Sequence, residues 1–138
     1  MRMAEAEARR RLGAARVARL ATVSGDGRPH LVPVTFALDG DVIYTAVDAK
    51  PKSTRDLRRL ANLRANPSAA VLADGYSEDW AALWWVRADG DASIIDDRTG
   101  MAGPVAALAR RYPQYVTDPP AGPVIAILVR RLTGWSAA

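Results

Sequence analysis

A small antiparallel β-barrel decorated by helices is the fold class this sequence predicts, and three observations predict it. His30, Val32, Val34, Phe36 and Leu38 repeat at every second position, the period of a strand with one buried face. Asp-Gly pairs stand at positions 26, 39, 74 and 89, and the first, second and fourth lie between segments of strand character, as in a meander of hairpins. Stretches at helical spacing are few and separate runs of strands, which places the helices around a sheet that closes on itself.

The elements follow in order. Residues 3 to 16 are rich in Ala, Arg and Glu, with Ala8, Leu12 and Ala15 along one side, and predict a short amphipathic helix. Residues 19 to 24 alternate loosely and run into a turn at Gly25-Asp26-Gly27, after which the strand from His30 to Leu38 begins. Asp39-Gly40 suits a type I′ hairpin turn, whose two central residues need positive φ, and it leads into a strand over residues 42 to 47. Between residues 53 and 66, Leu57, Leu60, Ala61 and Arg64 fall at helical spacing and Asn66-Pro67 supplies the stop. A short strand over 68 to 73, a loop over 74 to 79 and a strand pair from 80 to 95 turning at Asp89-Gly90 come next. A helix near residues 105 to 112 and a final strand over 124 to 132 complete the order α-β-β-β-α-β-β-β-α-β. The whole chain, 1 to 138, reads as a single domain.

Composition excludes several chemistries. With no Cys and one His, the 138 residues cannot build a disulfide framework, a zinc ribbon, an iron–sulfur cluster, a thiol nucleophile or a multi-His metal centre. Hydrophobic residues at 49% and charged residues at 25% are those of a globular protein. The opening residues lack an unbroken apolar core, and the longest apolar runs hold six residues, far short of the roughly 20 that span a bilayer. A cytoplasmic protein that meets no membrane is the expectation.

The most informative stretch runs from Lys50 to Arg59, where a strand ends and a helix begins. Lys50, Lys52, Arg55, Arg58 and Arg59 are basic there and only Asp56 is acidic. Ser53 and Thr54 stand where an N-cap would be. Unpaired backbone N–H groups, the positive end of the helix dipole, hydroxyls and ammonium groups together make a phosphate site. The alternative is a solvated basic helix face with an ordinary cap. The net charge of +4 is concentrated here: Lys50 to Arg64 carries six basic residues and one acid, leaving the remainder of the chain near neutral. Such a distribution gives no stripe for nucleic acid.

Tyr76, Trp80, Trp84 and Trp85 form a second group. Neighbours on a strand point to opposite faces, so one of Trp84 and Trp85 packs in the barrel while the other meets a partner subunit or ligand. On a regular strand Trp80 shares the parity of Trp84. His30 falls on the face of Val32 and Val34, as a candidate proton donor or a hydrogen-bonding strand-end residue. Asp96-Asp97 reads as a loop or cap pair rather than an acid/base couple.

The ordered combination of Asp-Gly-Arg-Pro at 26 to 29 with Pro33-Val34, the Lys-Pro-Lys-Ser-Thr-Arg run from Lys50, Asn66-Pro67, and the Glu-Asp-Trp to Asp-Gly stretch from Glu78 to Gly90 resembles the pyridoxamine 5′-phosphate oxidase-like split β-barrel superfamily. Within it, the chain is most similar to the coenzyme F420 (deazaflavin)-dependent oxidoreductases. The resemblance implies a homodimer of split barrels with cofactor sites between subunits. Pro33, Val34 and Thr35 would run along the ring system, while Lys50, Lys52, Ser53, Thr54 and Arg55 would hold the phosphate and acidic tail. Many relatives carry Lys or Arg at the position of Ser53. Trp80 and Trp85 would face the neighbouring subunit's cofactor. No protein side chain need be catalytic, because a redox cofactor carries the reactive atom and the protein binds and orients it. The implied activity is hydride transfer to a small organic substrate; the alternatives are an FMN-dependent oxidase or reductase of the same fold and a non-catalytic carrier.

Overall fold

The computed structural model describes residues 1–47 and 54–138, with only the helical backbone for 54–57. Helix α1 (Glu5–Ala14) leads into β1 (Ala18–Val23), β2 (Pro29–Val34), β3 (Ala37–Asp39) and β4 (Val42–Ala46). Helix α2 (Thr54–Ala65) precedes β5 (Ser68–Gly75), and a 3₁₀ turn (Trp80–Ala82) precedes β6 (Trp84–Ile95). Helices α3 (Arg98–Arg111) and α4 (Gln114–Thr117) then lead to β7 (Val124–Ser136). The strands make one antiparallel sheet in the order β2-β1-β5-β6-β7-β4-β3.

That order dictates a barrel. β2 and β3 are the two edges of the sheet, yet only Thr35 and Phe36 separate them in sequence. Two residues of extended chain reach about 10 Å, so the sheet must curl until its edges nearly meet. The barrel stays split there, and the crossing at Thr35-Phe36 is the seam. The fold class expected from sequence is the one observed.

Alternation of buried and exposed residues holds the sheet in register. Ala18, Leu20 and Thr22 of β1, Ala69, Val71 and Ala73 of β5, and Val86 and Ala88 of β6 point inward. With Phe36, Ile43, Ile125 and Ile127 they form the core, closed at one side by Ala8 and Leu12 of α1 and elsewhere by Leu60 and Leu63 of α2. A smaller cluster of Ala37, Ala107, Leu108 and Tyr112 binds α3 to the seam.

Four sequence expectations change. The strand from His30 to Leu38 is broken at Thr35-Phe36, because the chain there crosses from one edge to the other. Asp89-Gly90 is no hairpin turn: β6 runs straight through it with a bulge in its register against β7. A Cβ on Gly90 would lie 2.3 Å from the Leu128 carbonyl oxygen, so glycine permits a close strand approach there. The turn at Asp39-Gly40 is displaced by one residue, with Asp39 paired to Val42 and positive φ at Gly40 but not at Asp41, the type II′ pattern. Finally, Trp80 lies in a 3₁₀ turn capped by Asp79, whose carboxylate accepts from the Ala81 N–H, so it shares no strand parity with Trp84. Asp97 is the N-cap of α3, accepting from Gly100 N–H at 2.7 Å.

Candidate functional site

The seam is fastened from one side. Phe36 is fully buried, and its N–H donates to the Tyr112 hydroxyl at 3.1 Å. Its carbonyl lies 3.0 Å from the same hydroxyl and accepts from Arg111 Nη1 at 2.6 Å. Arg111 also donates to the Ala15 carbonyl at 2.6 Å, and the Tyr112 hydroxyl lies 2.9 Å from the Arg16 carbonyl. The end of α3 thereby satisfies backbone groups that a split barrel leaves without ladder partners.

Beside the seam is a pocket of about 300 Å³, lined by Val17, Pro33, Val34, Thr35, Thr45, Ala46, Arg59 and Tyr115. Thr35 Oγ1 and the Tyr115 hydroxyl are 2.9 Å apart, and the Thr45 hydroxyl donates to the Thr35 carbonyl at 2.8 Å. Tyr115 stands edge-on to Tyr112 with ring centroids 5.8 Å apart, so α4 is aligned by the residue that fastens the seam. An apolar wall, a rim of hydroxyls and a guanidinium match a flat heteroaromatic ring with a polar edge and an anionic substituent.

A second pocket of about 240 Å³ lies at the opposite end of β2, lined by Ser24, Asp26, Arg28, Pro29, His30, Arg58 and Asn62. Asn62 is buried and donates to Thr22 Oγ1 at 3.1 Å, anchoring α2 on β1. Thr22 is the register partner of His30. Burial pushes the His30 pKa below its ordinary value, and the Arg58 and Arg59 guanidinium groups push the same way. One helix thus serves both ends of one strand: Arg59 borders the pocket at the seam and Arg58 the pocket at the β1–β2 turn.

The structure brings Pro33, Val34 and Thr35 together at the first pocket. Lys50, Lys52 and Ser53 fall outside the described residues; Thr54 and Arg55 lie in the first turn of α2, with side chains outside the description. Trp80 and Trp85 do not line either pocket of their own chain. Trp80 is 76% exposed, and Trp85 sits on the outer sheet face in a trough of about 480 Å³ with Arg19, Leu31, Leu72, Asp74, Tyr76 and Arg87. Thr45 and Tyr115 were not legible as site residues. Thr45 reads as one more inward strand position, and Tyr115 lies in a Pro-rich connection whose path a sequence does not reveal. Among the described residues no group of three His, Cys, Asp or Glu could hold a metal, and no helix is long and apolar enough to cross a membrane.

The profile of the family described as pyridoxamine 5′-phosphate oxidase matches residues 4–136. No curated protein matches. Among solved structures, a conserved hypothetical protein of Mycobacterium tuberculosis is 24% identical with a TM-score of 0.78, covering 98% of this chain and 86% of that one. An FAD-binding protein of Mesorhizobium loti is 22% identical with a TM-score of 0.74, covering 97% and 95%. The haem storage protein HutZ of Vibrio cholerae is 17% identical with a TM-score of 0.71, covering 96% and 94%. At these identities the likenesses establish the fold.

Proposed function

This chain belongs to the pyridoxamine 5′-phosphate oxidase family, and on that premise we propose that it is an oxidoreductase that seats a flavin-class ring in the seam pocket, with coenzyme F420 as its cofactor. The observation that carries the reading is the pocket itself: Pro33, Val34 and Thr35 form one wall, the hydroxyls of Thr35 and Tyr115 meet at its border, and Arg59 lines it from α2. When bound, the reduced cofactor supplies a hydride to a small unsaturated or electron-poor organic substrate.

The chain's own part is binding and orientation. Val34 and Pro33 give the ring an apolar surface and exclude water from one face. Thr35 and Tyr115, fixed against each other, offer hydrogen bonds to the polar edge, which sets how the ring lies and which atom meets the substrate. Lys50, Lys52, Ser53, Thr54 and Arg55 are assigned to the phosphate and the acidic tail. A second copy of the chain completes the site in this reading, with Trp80 and Trp85 brought to the neighbouring cofactor; the 76% exposure of Trp80 and the half-buried place of Trp85 in the trough on the outer sheet face support it.

FMN is the second reading, favoured by the FAD-binding relatives of the same fold from Mesorhizobium loti and Mycobacterium smegmatis. The absorption spectrum of protein purified from a host that makes both cofactors separates the two. A band of the deazaflavin supports the first reading and a flavin spectrum the second; a colourless protein that binds neither on titration would refute both.

A further inference from the structure

The β1–β2 ladder stops just short of the seam. Its last pair is Ala18 with Val34, and the same register continued by two residues sets Arg16 opposite Phe36. Residues opposed in this way in an antiparallel pair can exchange N–H···O=C bonds directly. Here a side chain stands between them: the Phe36 N–H donates to the Tyr112 hydroxyl at 3.1 Å, and that hydroxyl lies 2.9 Å from the Arg16 carbonyl oxygen. The Phe36 carbonyl is drawn off as well, lying 3.0 Å from the same hydroxyl and accepting from Arg111 Nη1 at 2.6 Å. The inserted phenol is itself clamped. The Arg16 guanidinium lies over its ring at 4.8 Å and that of Arg111 at 5.3 Å, while Arg16 Nη2 donates to the Arg111 carbonyl at 2.7 Å. Between the last rung and the interrupted one lie Val17 and Thr35, neither of them in a strand, and both line the seam pocket.

We propose that Tyr112 is a positioning residue whose hydroxyl is a spacer: it holds the β1–β2 ladder open at the seam and thereby sets the width of the seam pocket. The physical reason lies in the pairing of buried backbone groups. The Phe36 N–H, the Phe36 carbonyl and the Arg16 carbonyl all find partners on the end of α3, so the strands can part there with none of the three left unpaired. Without the phenol, the Phe36 N–H is buried with no acceptor except the Arg16 carbonyl that faces it across the gap. Closing that gap forms the missing rung and draws Val17 and Thr35 together, which narrows the pocket they line. Tyr112 is not among the lining residues and acts through these two. The consequence for cofactor binding rests on the reading of the seam pocket as a ring site; the interrupted rung does not.

The test uses Tyr112→Leu, which removes the hydroxyl and the outer part of the ring; phenylalanine would still fill the gap. The first readout, on the isotope-labelled chain without cofactor, is the NMR scalar coupling across a hydrogen bond between the Phe36 amide nitrogen and the Arg16 carbonyl carbon. The second is the affinity for F420 and for FMN by fluorescence titration. The expected result is no coupling in the wild type and a coupling in Tyr112→Leu, with affinity for the cofactor that the wild type binds weakened at least about tenfold. Gly75→Ala, which strains the β5–β6 pair beside Trp84, is the control for general destabilisation and should move neither readout. A coupling already present in the wild type overturns the proposal without any variant. So does its absence in Tyr112→Leu, or in Tyr112→Met if the leucine variant does not fold. A rung that closes while cofactor affinity stays unchanged overturns the link to pocket width and leaves the cofactor reading standing. A wild type that binds neither cofactor refutes that reading, and the coupling alone then decides whether Tyr112 is the spacer.

Discussion

Removing one hydroxyl tests how the seam is held. Tyr112→Phe deletes the atom that accepts from the Phe36 N–H at 3.1 Å and that lies 3.0 Å from the Phe36 carbonyl and 2.9 Å from the Arg16 carbonyl. The three partners fare differently. The Phe36 carbonyl keeps its 2.6 Å bond from Arg111, and the Arg16 carbonyl, in a part-buried contact, is near enough to the surface to be hydrated. The Phe36 N–H belongs to a residue with 0% exposure and is left buried without this acceptor, a loss of about 1–3 kcal/mol. The ring itself still fills its place, so no cavity adds to the cost. We expect a loss of about 2 kcal/mol, read as a drop of about 1 M in the urea midpoint by circular dichroism with an unchanged slope. A loss below about 0.5 kcal/mol would show that the hydroxyl does not fasten the crossing.

Other perturbations read other parts of the structure. Gly75→Ala places a Cβ 2.2 Å from the Trp84 indole nitrogen and should destabilise by about 1–3 kcal/mol in the same urea assay. Arg87→Ala removes a solvent-exposed pair with Asp89 and should change stability by less than about 1 kcal/mol. Folding lowers the His30 pKa, so the unfolded chain binds that proton more tightly. Stability contributed by the neutral ring is present above the unfolded value of about 6.5 and is lost as pH falls through it, and unfolding free energies at pH 7.5 and 5.5 should therefore diverge more in the wild type than in His30→Asn. Thr35→Val keeps the shape of the pocket wall and removes its hydroxyl; F420 or FMN should bind several-fold more weakly by fluorescence titration, with unfolding midpoints little changed.

Which features were legible follows from whether their physics is local. Alternating burial in β1, β5 and β6 and the Asp97 cap depend on neighbours in sequence, and the residue pattern carries them. The break at Thr35-Phe36 does not. Its alternation matches a continuous strand, and only the sheet order, with β2 and β3 at opposite edges, shows that the chain must cross there. Asp89-Gly90 has the composition of a turn, but its glycine answers to the Leu128 carbonyl on a strand almost forty residues away in sequence. The wall of the seam pocket was visible as Pro33 to Thr35, whereas Tyr115 reaches it only through α4, and Trp80 left its expected strand because Asp79 caps a 3₁₀ turn.

In the proposed function the seam between β2 and β3 is a ring-binding pocket with Arg59 on its wall. Titrating the purified chain with coenzyme F420, and in parallel with FMN, while following cofactor fluorescence tests it most directly. Saturable binding of at least one of them is expected, about one per chain, weakened roughly tenfold or more by Arg59→Gln, the scale of a lost charge-assisted contact. Failure of both cofactors to saturate, or binding indifferent to both Thr35→Val and Arg59→Gln, would contradict it.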